Sequence, residues 1–147
     1  MQRARCLFFL SLLLLSGCDK TSQTELPATL LAVVPGCEVQ QGCRAEDDSI
    51  SVNVQFGAVP RALHPFPISL QVNGGEPLRD VSVTFYMQGM DMGLNRYRLV
   101  GSAASGWKAD ITLPICMSGR SDWVAEFELL TEQRRLQFRL PFVLQKS

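Results

Sequence analysis

Apolar and polar residues alternate with a period of two along most of the chain after residue 30. Successive side chains of a β-strand point to opposite faces of a sheet, so this alternation predicts strands with one buried face. The pattern contains no sustained helical stripe. The alternating rows cover residues 50–56, 68–72, 81–87, 97–99, 107–113, 123–129 and 136–142.

Segments rich in Gly, Pro and Asp separate these rows, for example "NGGEP" at 73–77 and "MSGRSD" at 117–122. Roughly seven short strands with turns between them, in about 120 residues, are typical of an immunoglobulin-like sandwich. The predicted fold class is therefore all-β, as a single immunoglobulin-like antiparallel β-sandwich over residues 30–147. The chain shows no internal repeat and no second domain.

The N-terminal residues follow a different pattern. Arg3 and Arg5 precede an apolar run at 7–15, and two small residues stand before Cys18, which is the layout of a secretory signal. The apolar run is too short to be a good membrane-spanning helix. The stretch "LSGC" at 15–18 resembles the lipobox of bacterial lipoproteins, whose signal peptidase cuts just before a lipidated cysteine.

This resemblance implies a lipoprotein signal peptide at residues 1–17, a lipidated Cys18 and a polar tether over 18–29. Two or more acyl chains, such as palmitate, hold a protein stably on a bilayer. Asp19 resembles the signal that keeps enteric lipoproteins on the inner membrane, so we expect an anchored protein that faces the periplasm from that membrane. An ordinary secreted protein, cleaved near the same place, is the alternative.

The charge balance excludes a general affinity for nucleic acid or acidic surfaces. The chain has 14 basic and 14 acidic residues, and residues 1–17 contain two arginines and no acid, so the mature chain has a net charge of −2.

Cys37 and Cys43 are separated by five residues in "PGCEVQQGCRA". An exported protein enters an oxidising compartment, where a local disulfide is the favoured interpretation. A zinc-binding pair is the rival interpretation, but such pairs usually have two to four intervening residues and a second pair elsewhere.

The sequence contains few residues in arrangements that are typical of catalytic sites. His64 is the one histidine, and it lies in the proline-flanked segment "ALHPFPI" with no neighbouring nucleophile in sequence. There is no phosphate-binding glycine loop and no nucleophile elbow. We therefore expect a protein that is not an enzyme.

Three of the five methionines lie in "FYMQGMDMG" at 85–93. Met87 continues the buried row 81–87, so core packing explains it. Met90 and Met92 follow Gly89 in a polar segment where an apolar side chain has no obvious core to enter. Their spacing of two puts both sulfurs on one side of an extended segment. Thioethers favour Cu(I), so copper in its reduced state is the metal that this segment predicts.

Cys116 and Met117 form a second soft pair in "LPICMSGR". Strict alternation from Ile111 and Leu113 puts Cys116 on the outward face. Cys116 is also the odd thiol once Cys37 and Cys43 are bridged. A buried structural cysteine and a thiolate metal ligand are both open interpretations.

The runs "VSVTFYMQGMDMGLNRYRLV" and "GWKADITLPICMSGRSDWVAEFEL", within residues 81–129, resemble the YtkA-like domains. These are small exported β-sandwich modules similar in style to FixH-type and CopC-like copper proteins. The resemblance implies a copper-handling role in the periplasm, including delivery to a respiratory oxidase. Met90 and Met92 match the methionines of the family's Met- and Gly-rich segment, whereas Asp91 and Asn95 replace the histidines of many relatives.

The leading hypothesis is thus an envelope lipoprotein that binds Cu(I) through Met90 and Met92, with Met87, Cys116 or Met117 as further ligands. It would act as a chaperone or accessory factor for assembly of a cupro-enzyme. A second hypothesis is a module that binds another envelope protein through adaptable methionines. A third is thiol redox chemistry by Cys116 with the Cys37 and Cys43 pair.

Overall fold

The computed structural model describes residues 26–146. The predicted signal peptide at 1–17, the lipidated Cys18 and the first part of the predicted tether lie outside the described residues. Within residues 26–146 every regular element is a β-strand, which confirms the all-β class. The strands are β1 (Ala28–Leu30), β2 (Ala32–Val33), β3 (Cys43–Glu46), β4 (Ile50–Phe56), β5 (Phe66–Gly74), β6 (Asp80–Met87), β7 (Met90–Arg98), β8 (Val100–Ser102), β9 (Gly106–Ile111), β10 (Asp122–Leu130) and β11 (Arg135–Val143).

The strands form two sheets that pack face to face. The first sheet has the order β1-β11-β10-β6-β7, and the second has the order β2-β3-β4-β5-β9-β8. Neighbouring strands pair antiparallel except β1 and β11, which are parallel. This arrangement confirms a β-sandwich, and the immunoglobulin-like topology stays a prediction.

The alternating rows form the core, as the sequence predicts. Along β4 and β11 every second side chain is buried. A group of aromatic rings joins the two sheets: Phe56 and Phe66 come from the second sheet, and Phe85 and Phe142 come from the first. The Phe66 and Phe85 ring centres lie 6.4 Å apart, and those of Phe56 and Phe142 lie 5.3 Å apart.

Arg134 joins the sheets at one end of the sandwich. It lies in the turn between β10 and β11 of the first sheet. Its guanidinium lies 3.3 Å from the Asp47 carboxylate and donates to the Ser49 hydroxyl at 2.8 Å, and both partners lie between β3 and β4 of the second sheet. Glu76 adds a weaker contact at 3.9 Å.

The structure changes three details of the sequence prediction. β1 begins at Ala28, so the strand framework starts inside the predicted tether. Residues 90–98 form one strand, whereas the sequence predicted a methionine loop followed by a short strand at 97–99. β9 ends at Ile111, two residues before the end of its alternating row, so the outward orientation predicted for Cys116 rested on a strand that has already ended.

Candidate metal site

β6 and β7 form a tight hairpin that places two methionines opposite each other. Met87 ends β6, Met90 begins β7, and the two residues are directly paired across the turn of Gln88 and Gly89. Gly89 has a φ of 74°, a backbone conformation that favours glycine. Because directly paired residues on adjacent strands share one face of a sheet, Met87 and Met90 lie side by side.

An irregularity in β7 follows immediately. The pairing with β6 is lost between Met87↔Met90 and Phe85↔Asn95, so residues 91–94 bulge from the sheet. The Asp91 carboxylate accepts a hydrogen bond from the Gly93 N–H at 2.9 Å, and the Asn95 amide donates to the Met92 carbonyl at 2.9 Å. These short-range hydrogen bonds replace the missing sheet pairing and hold Met92 in the bulge.

Met90 and Met92 are both half-buried and pack against the core. The expectation that neither has a core to enter was therefore wrong. The cause is tertiary: β7 is an edge strand of the first sheet, and its inward side chains meet residues that follow β9 in the second sheet. That second segment is distant in the sequence, so local patterning could not show it.

Residues 112–121 cross from β9 in the second sheet to β10 in the first, and they run beside the hairpin. Two hydrogen bonds attach this crossing segment to it. The Tyr97 hydroxyl donates to the Thr112 carbonyl at 2.5 Å, and the Arg120 guanidinium donates to the Gln88 carbonyl at 3.2 Å. The crossing segment is thus attached near both of its ends.

Between these attachments, Cys116 meets Met90. The Cys116 Sγ lies 3.3 Å from the Met90 Sδ, and the thiol donates to the thioether. The Ser118 hydroxyl lies 3.0 Å from the same Sγ and 4.0 Å from the Met90 Sδ. Residues 116–119 form a turn in which the Gly119 N–H donates to the Cys116 carbonyl at 3.0 Å, and this turn brings Ser118 back over the thiol.

The surroundings of Cys116 favour its thiolate. The side-chain hydrogen bond from Ser118 lowers the pKa of the Cys116 thiol, and the backbone N–H groups of Ser118 and Arg120 and the Arg120 charge act in the same direction. Burial opposes this effect, since the residue is only 6% exposed. The balance is a pKa below the ordinary value for cysteine.

The structure thus brings together some of the predicted ligands and separates others. Met90 and Cys116 are in contact, and Met87 is fully buried opposite Met90. Met117 is 97% exposed and lies outside the contact between Cys116 and Met90. Residues 26–146 also contain no group of three or more His, Cys, Asp or Glu side chains suited to a metal. Cys116 and Met90 are the candidate ligands whose sulfurs the structure brings into contact.

Cys37 and Cys43 form a disulfide, with their Cα atoms 5.1 Å apart. This confirms the predicted bridge and excludes the zinc-binding pair in this state of the protein. Cys116 is the free cysteine of the described residues and is buried. A dithiol partnership between Cys116 and the other two cysteines would first require reduction of this bridge.

The sequence reasoning missed Ser118 and Arg120. Both lie in "MSGRSD", which was interpreted only as a turn between strands. Their signal was their closeness to Cys116 in the sequence, because a turn of four residues folds the chain back on itself. The Nδ1 atom of His64 lies 2.9 Å from the Ala62 carbonyl oxygen.

Searches of known protein families, of curated proteins and of solved structures found no match to this chain. The resemblance to YtkA-like domains accordingly stays a prediction. Among residues 26–146 there is no helix of the length and apolarity needed to cross a membrane.

Proposed function

We propose that this protein is an envelope lipoprotein that binds Cu(I) and hands it to a cupro-enzyme during assembly, without catalysing a reaction. The observation that carries the proposal is the 3.3 Å contact between the Cys116 thiol and the Met90 thioether. A thiolate and a thioether are soft ligands, and soft ligands select Cu(I) over magnesium or calcium. The thioether also disfavours zinc, whose protein ligands are Cys, His and carboxylates. Anchorage through Cys18 and the periplasmic location rest on the N-terminal sequence.

The hydrogen bonds at Cys116 support this proposal further. A thiol must lose its proton to bind a metal, so every donor that stabilises the thiolate also raises the metal affinity at a given pH. Ser118 and Arg120 have this effect on Cys116. The ligands lie on a paired strand and on a crossing segment held by hydrogen bonds, so they lose little conformational freedom when a metal binds.

The ligand set that we propose differs in emphasis from the sequence hypothesis. Met90 and Cys116 are the central pair. Met92 is the next ligand, because it is half-buried on the core side of the same strand. Met87 supports Met90 from the opposite strand, and the exposed Met117 lies outside the central pair.

The direct test is competition for Cu(I) between the protein and the coloured chelator bicinchoninate under anaerobic conditions. We expect Met90→Leu and Cys116→Ser each to weaken Cu(I) binding by at least about tenfold, because each removes one soft ligand. Met117→Leu makes the same type of change at an exposed methionine and is the matched control. Equal copper affinity in wild type, Met90→Leu and Cys116→Ser would reject the site.

A second candidate function is a module that binds another envelope protein. It is favoured by apolar side chains exposed near the crossing segment, namely Leu63, Ile115 and Met117. Exposed apolar groups that lie together mark interaction surfaces. This function predicts that Met117→Asp abolishes capture of the partner while Cu(I) affinity stays unchanged, whereas Met90→Leu leaves capture intact.

A further inference from the structure

A pocket of about 420 Å³ opens beside Cys116, on the outer side of the turn formed by residues 116–119. Ala62, Ile115 and Leu144 give it a mainly apolar lining. This volume is within the range that holds small organic molecules, and an apolar wall with a few polar groups is the usual composition of such sites. Cys116 lines the pocket and also contacts Met90, so one residue of the sulfur cluster belongs to the pocket wall, and Met117 lines it as well.

Among the described residues, the charged side chains that line the pocket are positive. They are Arg120 and Lys146, and no described aspartate or glutamate lines it. Arg120 is already paired with Asp122. Within residues 26–146, Lys146 has no carboxylate within ion-pair distance. The Lys146 ammonium lies over Gly119, because its Nζ is 3.7 Å from where a Cβ on that glycine would stand. An unpaired ammonium at an apolar pocket attracts an anion.

Cys116 and Met90 are the two candidate ligands whose sulfurs touch in the described part of the chain, so copper held by them can accept further ligands. The nearest further polar group is the Ser118 hydroxyl, a hard oxygen donor that Cu(I) disfavours. Cys116 lines the pocket, so a sulfur from solution can approach it there.

We propose that the pocket binds a small organic thiol that carries an acid group. Lys146 binds the acid, and the thiol sulfur becomes a further soft ligand of the copper held by Cys116 and Met90. The thiol proton is released to solvent on coordination, and no electron is transferred. Copper would then enter or leave as a complex with this anionic thiol. This inference rests on the proposed Cu(I) site and names the chemical class of its exchange partner.

The test uses the full chain, purified in non-ionic detergent without oxygen and loaded with one equivalent of Cu(I). The probe is 2-mercaptoethanesulfonate, and 2-mercaptoethanol is the neutral comparison. After gel filtration, copper and thiol are quantified per protein. We expect one copper and one thiol retained with the anionic probe, and roughly tenfold weaker retention of the neutral thiol, which lacks the attraction to Lys146.

Two variants make the test specific. Lys146→Gln removes the ammonium without changing a sulfur ligand. We expect it to lower thiol retention roughly tenfold, while the Cu(I) affinity measured in competition with bicinchoninate stays unchanged. Lys108→Gln makes the same substitution on β9, away from the pocket, and should behave as wild type.

Several results would overturn the inference. If the protein retains both thiols equally, the Lys146 ammonium does not contribute to binding. The same conclusion follows if Lys146→Gln and wild type retain the same amount of thiol. Copper retained without thiol rejects the further ligand and leaves the proposed copper function standing. Thiol retained without copper marks binding that needs no metal and contradicts coordination. Absence of copper in every arm overturns the proposed function and this inference together.

Discussion

At the scale of single residues, the proposed chemistry centres on Cys116. Its sulfur receives hydrogen bonds from Ser118 and from nearby backbone N–H groups, and it touches the sulfur of Met90. A cysteine that only fills core space needs none of these donors, since a neutral thiol is a weak acceptor. The donor pattern is the type that activates a thiol as a ligand or nucleophile.

We predict that Cys116 is alkylated by iodoacetamide with a pH midpoint below that of an ordinary cysteine, which is about 8.5. Hydrogen bonds to the thiolate lower the pKa, so its deprotonation begins at lower pH. Ser118→Ala removes the largest of these contributions and should raise the midpoint. Mass spectrometry of the labelled protein across pH measures both values. A wild-type midpoint at or above that of a free cysteine would contradict the assignment.

At the scale of single elements, two short connections are stabilised locally, one by a disulfide and one by side-chain hydrogen bonds. The segment before β3 is closed by the Cys37–Cys43 disulfide. The turn between β3 and β4 is held by Asp47, whose carboxylate accepts hydrogen bonds from the Ser49 N–H and hydroxyl, each at 2.8 Å, and from the Ile50 N–H at 3.0 Å. Both connections lie in the second sheet, away from the sulfur cluster.

For the disulfide, we predict that Cys37→Ala with Cys43→Ala lowers the free energy of unfolding by about 2 kcal/mol, as chain entropy gives for so short a loop. Urea denaturation measures this difference. Because the bridge lies in a different sheet from Met90, Cu(I) affinity should stay unchanged. A parallel loss of copper binding in a folded double variant would show that the bridge and the sulfur cluster are coupled.

For the turn, we predict that Asp47→Asn destabilises the protein at pH 7 and that this difference shrinks at pH 3. The backbone N–H and hydroxyl of Ser49 lower the pKa of the Asp47 carboxyl in the folded protein. Its stabilising contribution is thus fully present above the unfolded value of about 3.9 and is lost as the pH falls through the folded value. Denaturation at both pH values tests this, and Asp48→Asn on the exposed neighbour is the control. A difference independent of pH would contradict it.

At the scale of the whole molecule, the aromatic rings between the sheets determine whether the site exists. Phe85 lies on β6, two residues before Met87, and contacts Phe66 of the opposite sheet and Tyr97 of β7. Tyr97 in turn holds the crossing segment through Thr112. The core therefore connects directly to the element that carries Cys116.

We predict that Phe85→Ala lowers the free energy of unfolding by about 3–5 kcal/mol, because it leaves a cavity among fully buried rings. Val143→Ala, at an exposed position of β11, should change stability by less than about 0.5 kcal/mol. Thermal or urea denaturation distinguishes the two. If Phe85→Ala were as mild as Val143→Ala, the rings would not be the main connection between the sheets.

The membrane anchor that we propose is also a property of the whole molecule, and the proposal rests on the N-terminal sequence. We predict that Cys18→Ala removes the lipid attachment point and moves the protein from the membrane fraction to the soluble fraction of the cell envelope. Fractionation with immunodetection measures this shift. Cys116→Ser, which changes the free thiol of the described residues, should leave the protein on the membrane.

The sequence by itself determined the fold class and the disulfide. A period of two is a direct consequence of strand geometry, so rows such as 50–56 and 136–142 can be recognised without any partner strand. Cys37 and Cys43 are close in the chain, and an oxidising compartment is enough to pair them. The methionine segment was also visible locally, because Met87, Met90 and Met92 lie within six residues.

Only the tertiary structure decided which sulfurs meet. Met90 and Cys116 are separated by 26 residues, and their contact depends on an edge strand of one sheet lying beside a crossing segment from the other. β9 ends at Ile111, so the alternation that predicted an outward side chain does not extend to Cys116, which is buried. Periodicity specifies the face of a residue within its own strand, whereas contacts between sheets depend on strand order and on where each strand ends.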